Sequence, residues 1–339
     1  MDEPGVEQVT CKSNDFKVSV IIPTKNAGPQ LRLVLEAVLS QRTTWLFEVI
    51  VIDSGSSDGT LDLIKLYPSV RLLEIPPKEF GHGKSRNYAI AHSEGEYIAM
   101  ITQDALPENP FWLAELVKAI EADSRIAGVF GRHIAYPDAS PFTRYELEQH
   151  FLGFIAHPVV SLDDRNRYDQ DEGYRQFLYF FSDNNAMLRR SVWQEIPYPE
   201  VDFAEDQAWA RLIIEAGHHK AYAHNAVVKH SHNYGFIERL QRSFDESYAL
   251  FRMFNYQHGR TFRHAVMSFI AITIRDFKYV FHEGLLKDHL GLMLSMPLDN
   301  LMRMLGFYLG VNGDRLPCYM RLYLSRDRQL MKTPKGDTT

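Results

Sequence analysis

The stretch Met100-Ile-Thr-Gln-Asp-Ala-Leu-Pro107 follows directly on Glu96-Tyr-Ile-Ala, so an apolar run ends in a single carboxylate, Asp104. Pro107 and Pro110 then break the chain before a helical pattern begins at Trp112. A carboxylate at the C-terminal end of a buried strand sits where open α/β sheets bind their ligands. What that carboxylate does depends on the segments around it.

Upstream, Lys17–Ile22 is a β-branched run closed by Pro23, which predicts a buried strand. Thr24–Pro29 reads as a loop, and Leu31, Val34, Leu35, Val38 and Leu39 follow at helical spacing. Phe47–Ile52 predicts a second strand, ending in Asp53-Ser-Gly-Ser-Ser-Asp-Gly-Thr60, with a helix opening at Leu61. Val70–Ile75 predicts a third strand. Gly81-His-Gly-Lys-Ser-Arg-Asn87 reads as a glycine-containing loop before a helix at Tyr88–His92. This alternation predicts an α/β chain with a mostly parallel sheet and helices on both faces.

Downstream, Trp112–Ile120 predicts a helix and Ile126–Phe130 a strand. Residues 131–182 lack periodicity and read as an insertion that shapes a pocket or lid. Ser182–Arg190 leads to a helix start at Ser191, and Val201–Gln207 opens a helix over Ala208–Ala216, ended by Gly217. Tyr222–Lys229 predicts the last strand. Past Gly235 the pattern is helical and rich in Phe, Met and Leu, and the final stretch is basic, with Arg328, Lys332 and Lys335. A boundary near 235 divides a domain over 1–235 from a helical region over 236–339.

The formal net charge of −6 argues against a general nucleic-acid binder. Cys11 and Cys318 stand at opposite ends, with neither disulfide nor zinc spacing, which suits a reducing compartment. The acidic N-terminus has no signal-peptide core. The longest near-continuous apolar run, Ala265–Ile274, is roughly half the ~20 residues that span a bilayer. A cytoplasmic protein is expected, with membrane contact only from the side.

A dinucleotide-binding chain would carry a glycine-rich fingerprint after the first strand, where this one reads Pro23-Thr-Lys-Asn-Ala-Gly28, and a phosphate-binding P-loop is absent too. Instead, polar groups stand at successive strand ends: Thr24 and Asn26, then Asp53, Arg86 and Asp104. Strand ends of one sheet converge on one crevice.

Over residues 17–235 the chain resembles the family 2 glycosyltransferases, which have the GT-A fold. The likeness rests on Val18-Ser-Val-Ile-Ile-Pro-Thr-Lys-Asn26, Val51-Ile-Asp-Ser-Gly-Ser-Ser-Asp-Gly-Thr60, Thr102-Gln-Asp-Ala105 and Phe203-Ala-Glu-Asp-Gln207, in that order. Phe80–Asn87 and Thr102–Pro107 are most similar to bacterial rhamnosyltransferases. The resemblance implies inverting transfer of a hexose, L-rhamnose from thymidine diphosphate rhamnose, to a growing or lipid-linked glycan. Another donor such as a uridine diphosphate hexose, or an inactive sugar-nucleotide-binding subunit, are the alternatives.

It also implies roles. Pro23, Thr24, Asn26 and Asp53 would hold the nucleoside, with Lys84, Arg86, Gln103 and Asp104 on the diphosphate side. Asp104, joined by His232 or else His230, would ligate Mg²⁺ or Mn²⁺. Thr102 replaces the first acid of the family's metal motif, so that site is thinner. Asp206 would be the catalytic base, with Glu205 the runner-up, although either acid could simply cap its helix. Asn184, Asn185 and Arg189 would line the acceptor or sugar pocket. The methyl of a 6-deoxy sugar would find an apolar contact in the aromatic insertion over 142–181. Asp58 suits a turn and helix cap. The C-terminal helices have four uses open to them: packing on the catalytic domain, dimerisation, covering the active site, or lying on an anionic membrane.

Overall fold

The sheet is built outward from β1 (Val18–Thr24), which pairs in parallel with β2 (Phe47–Asp53). β3 (Val70–Glu74) extends it beyond β2, and β4 (Tyr97–Ile101) lies parallel on the other side of β1. The remaining strands are β5 (Leu106–Pro107), β6 (Ile126–Ile134), β7 (Val159–Val160), β8 (Asn185–Arg189) and β9 (His219–Lys229). The order is β3-β2-β1-β4-β8-β6-β9-β5, with β7 also on β9. β8 runs antiparallel between β4 and β6, and β6 and β9 are parallel again. The structure is a computed structural model that describes residues 16–327 apart from 202, 258 and 286–289. Cys11 and the basic Arg328, Lys332 and Lys335 lie outside the described residues.

Alternation along β1 decides the layers. Val18, Val20 and Ile22 enter one core with Leu31, Val34 and Leu35 of the helix Gln30–Leu39 and Trp112 and Leu116 of the helix Trp112–Ile120. Ile21 enters the opposite core with Ile90 of the helix His82–Ala91 and Trp209 and Ile213 of the helix Glu205–Glu215. Each such fully buried aliphatic side chain stabilises the fold by about 1.5–3 kcal/mol. The predicted α/β sheet with helices on both faces is therefore the observed one.

Three expectations need correction. The stretch Gly81–Asn87 is not a loop: the helix starts at His82 and carries Arg86 on its buried face. Its buried positions are mostly Gly83, Ser85 and Arg86, so no apolar period announces it. Gly83 is needed because a Cβ there would lie 2.2 Å from the Pro199 carbonyl oxygen. Ser182–Arg190 is not merely a prelude to a helix, since Asn185–Arg189 is the central antiparallel strand. Residues 131–182 are also more ordered than expected, with helices at Pro141–Leu152, Arg165–Gln170 and Glu172–Tyr179.

Past Gly235 come the helices Phe236–Phe254, Phe262–His282, Leu290–Val311 and Cys318–Leu324. Leu290–Val311 crosses Phe236–Phe254 at close range: a Cβ on Gly306 would lie 2.4 Å from Leu240 O, and one on Gly310 2.5 Å from Phe244 O. Glu146 accepts from Arg275 (2.7 Å) and Arg303, tying both later helices to the helix Pro141–Leu152. Among the described residues no helix is long and apolar enough to cross a membrane.

Candidate active site

The loops after β1 and β2 are zipped together by their own polar groups. Asn26 N donates to Ser56 Oγ (2.7 Å), Ser57 N to Asn26 Oδ1 (2.9 Å), Ala27 N to Thr60 Oγ1 (3.0 Å) and Gly28 N to Asp58 Oδ2 (3.1 Å). Asn26 has φ +46°, a left-handed conformation that asparagine tolerates. Asp53 is buried, and its carboxylate accepts from Gly55 N (2.8 Å), Ser56 N (2.7 Å) and Ser56 Oγ (2.5 Å). Thr24 lies opposite Asp53 in the sheet register, beside the Pro23–Ile52 pair, and its hydroxyl donates to Ile22 O. Gln103 fastens this unit to the end of β4: its Oε1 accepts from Lys25 N (2.8 Å) and its Nε2 donates to Lys25 O (3.3 Å). Asp58 bonds Thr60 at the start of the helix Thr60–Ile64, close to the expected capping position.

Asp104 stands just past β4, about one-third exposed. His230 Nε2 lies 3.7 Å from its Oδ1, and His232 Nε2 lies 3.6 Å from its Oδ2. One ligand atom from each of the three lies within 4.8 Å of the others. Burial lowers the pKa of His230 to about 4, against the pull of Asp104 and with help from His232. Burial lowers His232 too, with Asp104 again opposing. Both imidazoles are therefore neutral near pH 7, the form that offers a lone pair to a metal. A carboxylate oxygen and two neutral imidazole nitrogens fit a divalent cation. The sequence preference for His232 over His230 finds both histidines placed against Asp104. Thr102 Oγ1 is buried nearby in sequence without a hydrogen-bond partner among the described residues.

The second cluster gathers around Arg86. Arg86 Nη1 contacts Glu205 Oε1 at 2.7 Å, and Arg86 Nε lies 2.9 Å from Asp183 Oδ2 as an ion pair rather than an aligned hydrogen bond. Tyr198 Oη donates to Asp183 Oδ1 (2.6 Å), and His82 Nδ1 lies 4.0 Å from Glu205 Oε1. Burial works against the charge on Arg86, but Glu205 and Asp183 outweigh it and its pKa rises. Asp206 follows Glu205 at the start of the helix, and its Oδ2 accepts from Asp183 N (3.3 Å). Burial, then the charges of Glu205 and Asp183, hold Asp206 well above the ordinary carboxylate range. Burial pushes Asp183 up to about 6 against the pull of Arg86. Ala204, just before these acids, has φ +53°, a left-handed conformation that strains a residue with a Cβ. Asn184 bridges the clusters: Asp183 touches Asp206 on one side, and Asn184 Nδ2 lies 3.5 Å from His230 Nδ1 on the other.

The expected residues do not all meet. Arg86 was expected on the diphosphate; its guanidinium is instead engaged by buried acids. Lys84 sits exposed on the same helix. Asn185 is fully buried, with Oδ1 accepting from Trp112 Nε1 (2.8 Å) and Nδ2 donating to Arg132 O and Ala226 O. It joins strands β6 and β9 through these bonds. Arg189 pairs with Tyr97 at the far end of β4 from Asp104 and donates to Ile120 O (2.9 Å) and Ile126 O (3.2 Å). Antiparallel β8 puts the two ends of Asn185–Arg189 on opposite edges of the sheet. Sequence reasoning passed over Asp183 and Tyr198. The one cue was an acid directly before Asn184-Asn185.

A family model described as Glycosyl transferase family 2 matches residues 19–196. The O-antigen chain rhamnosyltransferase RfbN of Salmonella typhimurium is 36% identical over 234 residues, 68% of this chain and 71% of that protein. The O-antigen chain rhamnosyltransferase WbaN of Salmonella anatum is 33% identical over 230 residues, 67% of this chain and 70% of that protein. The mannosyltransferase PcManGT from Pyrobaculum calidifontis, solved in complex with GDP-Man and Mn²⁺, superposes with a TM-score of 0.56 at 18% identity, covering 88% of this chain and 87% of that one. At that identity the likeness speaks for the fold.

Proposed function

The chain belongs to glycosyl transferase family 2, and from that premise we propose that it transfers L-rhamnose, with inversion, from thymidine diphosphate rhamnose to a growing or lipid-linked glycan. The observation that carries the chemistry is the pairing of two unlike clusters at one sheet edge. Asp104, His230 and His232 form one, and Asp206 with its acid neighbours forms the other, 3.3 Å and 3.5 Å contacts apart through Asp183 and Asn184. The rhamnose assignment is supported by the two Salmonella relatives.

The nucleoside lies against the Pro23–Asn26 and Asp53–Thr60 loops, with Asp53 and Gln103 stiffening the walls. Asp104, His230 and His232 would hold a divalent cation, and two imidazoles favour Mn²⁺ over Mg²⁺, which prefers oxygen ligands. When bound, the cation neutralises charge on the diphosphate leaving group. Asp206 takes the proton of the acceptor hydroxyl. That oxygen bonds to the anomeric carbon as the bond from carbon to phosphate oxygen breaks, and the electron pair leaves with the nucleoside diphosphate. A carboxylate with a raised pKa is the stronger base for this task. Arg86 and Asp183 hold the Glu205–Asp206 helix start in place.

The protein works in the cytoplasm, in contact with the inner face of the membrane through its C-terminal helices. The helix Leu290–Val311 turns Leu290, Leu294, Leu298, Leu301 and Leu305 to solvent, and the helix Phe262–His282 turns out Met267, Ile270, Ile274 and Phe281. Residues 236–339 carry 15 Lys and Arg against 10 Asp and Glu, while residues 1–235 carry 22 against 33. An apolar face on the basic part of the chain suits an anionic lipid surface.

The test is transfer with thymidine diphosphate rhamnose, thymidine diphosphate glucose and uridine diphosphate glucose, each with Mn²⁺. The rhamnose donor should react fastest. A faster glucose donor would sink the rhamnose assignment and leave the family standing.

A further inference from the structure

We infer that an aromatic cavity beside Asp206 seats the terminal sugar ring of the acceptor. The inference rests on the transfer chemistry above, in which Asp206 deprotonates the attacking hydroxyl. The cavity has a volume of about 570 Å³ and lies between the helices Pro141–Leu152 and Glu172–Tyr179 and the C-terminal helices. That size falls among pockets of roughly 300–1,000 Å³ that enclose small molecules. Its walls include the rings of His150, Phe154, Phe177, Phe180, Tyr256 and Phe307, brought from both the insertion and the C-terminal region.

Besides Gln176 and Ser247, which hydrogen-bond to Glu172 and to Phe307 O, the polar side chains of Gln207 and Glu246 face the same space. Gln207 directly follows Asp206, and Glu246 projects from the helix Phe236–Phe254. Neither side chain hydrogen-bonds to a described residue, and neither does the His150 ring. Aromatic faces next to unpaired donors and acceptors match one ligand class. A sugar ring offers a C–H face to the rings and hydroxyls to Gln207, Glu246 and His150. A plain hydrocarbon chain would leave those three polar groups dry and unpaired, which is unfavourable.

Position distinguishes acceptor from donor. The diphosphate belongs with Asp104, His230 and His232, and displacement with inversion brings the attacking oxygen in from the side opposite the leaving group. Two stretches of the cavity wall run on to the base: Gln207 follows Asp206 in the chain, and Phe180 lies three residues before Asp183, whose N–H reaches the Asp206 carboxylate. An acceptor ring held there presents its hydroxyl beside the base. The occupied ring then excludes water from the reacting centre, which protects the donor from hydrolysis.

The probes are p-nitrophenyl glycosides of L-rhamnose, D-mannose, D-galactose and N-acetyl-D-glucosamine, added to the full chain with Mn²⁺ and thymidine diphosphate rhamnose. Wild-type protein should bind at least one glycoside, with saturation transfer to its ring C–H protons, and glycosylate it. Phe307→Ala, and separately Gln207→Ala with Glu246→Gln, should raise the KM for that glycoside at least tenfold. The dissociation constant for thymidine diphosphate should stay within twofold in both. Thermal unfolding identifies any variant that fails to fold, and the polar double variant keeps the test alive if Phe307→Ala does. The inference is overturned by unchanged glycoside KM in both variants, by nucleotide affinity falling in step with glycoside affinity, or by a wild type that cleaves the donor yet binds no glycoside. A wild type that neither binds nucleotide nor cleaves donor overturns the transfer chemistry itself, and this assignment with it.

Discussion

Replacing Arg86 with methionine separates two jobs open to a cation at this position. If it serves the diphosphate, the substitution weakens nucleotide binding and leaves the fold intact. If it neutralises buried acids, the fold itself suffers. The side chains of Arg86, Asp183 and Glu205 are 7%, 2% and 8% exposed. Contacts at 2.9 and 2.7 Å attract by roughly 6 kcal/mol each at an effective dielectric of 20, and desolvation offsets most of that gain. Removing the cation alone leaves the desolvation uncompensated, at a cost of about 3–5 kcal/mol. Methionine nearly conserves volume, so a cavity adds little. The loss should depend on pH with a definite sign. Asp183 is raised from 3.8 to about 6 even beside Arg86, so its buried charge costs stability at pH above that window and nothing once protonated below it. The deficit of Arg86→Met is therefore largest at pH 7.5 and shrinks toward pH 5. Urea unfolding at both pH values measures it, and titration with thymidine diphosphate measures the other job. A variant within about 0.5 kcal/mol of wild type at pH 7.5, the range of an ordinary surface change, but with tenfold weaker nucleotide binding, would refute the buried-acid role.

Asp206→Asn should keep nucleotide binding and lose transfer by about 10²–10⁴-fold, the usual worth of a general base; near-normal turnover in the folded variant would remove Asp206 from that role. In the wild type, kcat/KM should rise with pH through a midpoint above the ordinary carboxylate range, because burial, Glu205 and Asp183 all favour the protonated form of Asp206. Asp183→Asn removes one of those charges and should move that midpoint to lower pH, and an unmoved profile would limit Asp183 to packing. Asp104→Ala should abolish the tightening of nucleoside diphosphate binding by Mn²⁺, read by calorimetry; full activity in excess chelator would count against a metal. Leu294→Glu with Leu298→Glu should abolish flotation with anionic vesicles, and a wild type that does not float at any salt would end the membrane assignment.

Much of this molecule is readable from its letters. Strands such as Val18–Thr24 and Phe47–Asp53 are apolar because both their faces are buried, and the helices Gln30–Leu39 and Trp112–Ile120 show the period of one buried face. The polar residues at the strand ends are equally visible, since a carboxylate following a buried strand has few places to go. That is how Asp104 comes to notice, whereas the Glu205-Asp206 pair, at a helix start, is marked by its likeness to the family's acidic motif. The tertiary structure alone decided what those groups face. Arg86 and Asp183 are 97 positions apart, so their pairing has no local signature, and a charged side chain on a buried helix face reads from sequence as a loop or a surface. Asn185–Arg189 hides as a strand because its polar residues satisfy themselves on distant carbonyls, and its antiparallel direction sends Arg189 away from the site that Asn184 joins. His230 and His232 could be named from the chain, but that both turn toward Asp104 follows from β9 lying three strands across the sheet from β4 and ending at the same edge. Periodicity records what each segment buries; which distant side chain neutralises a buried charge is set only when the segments pack.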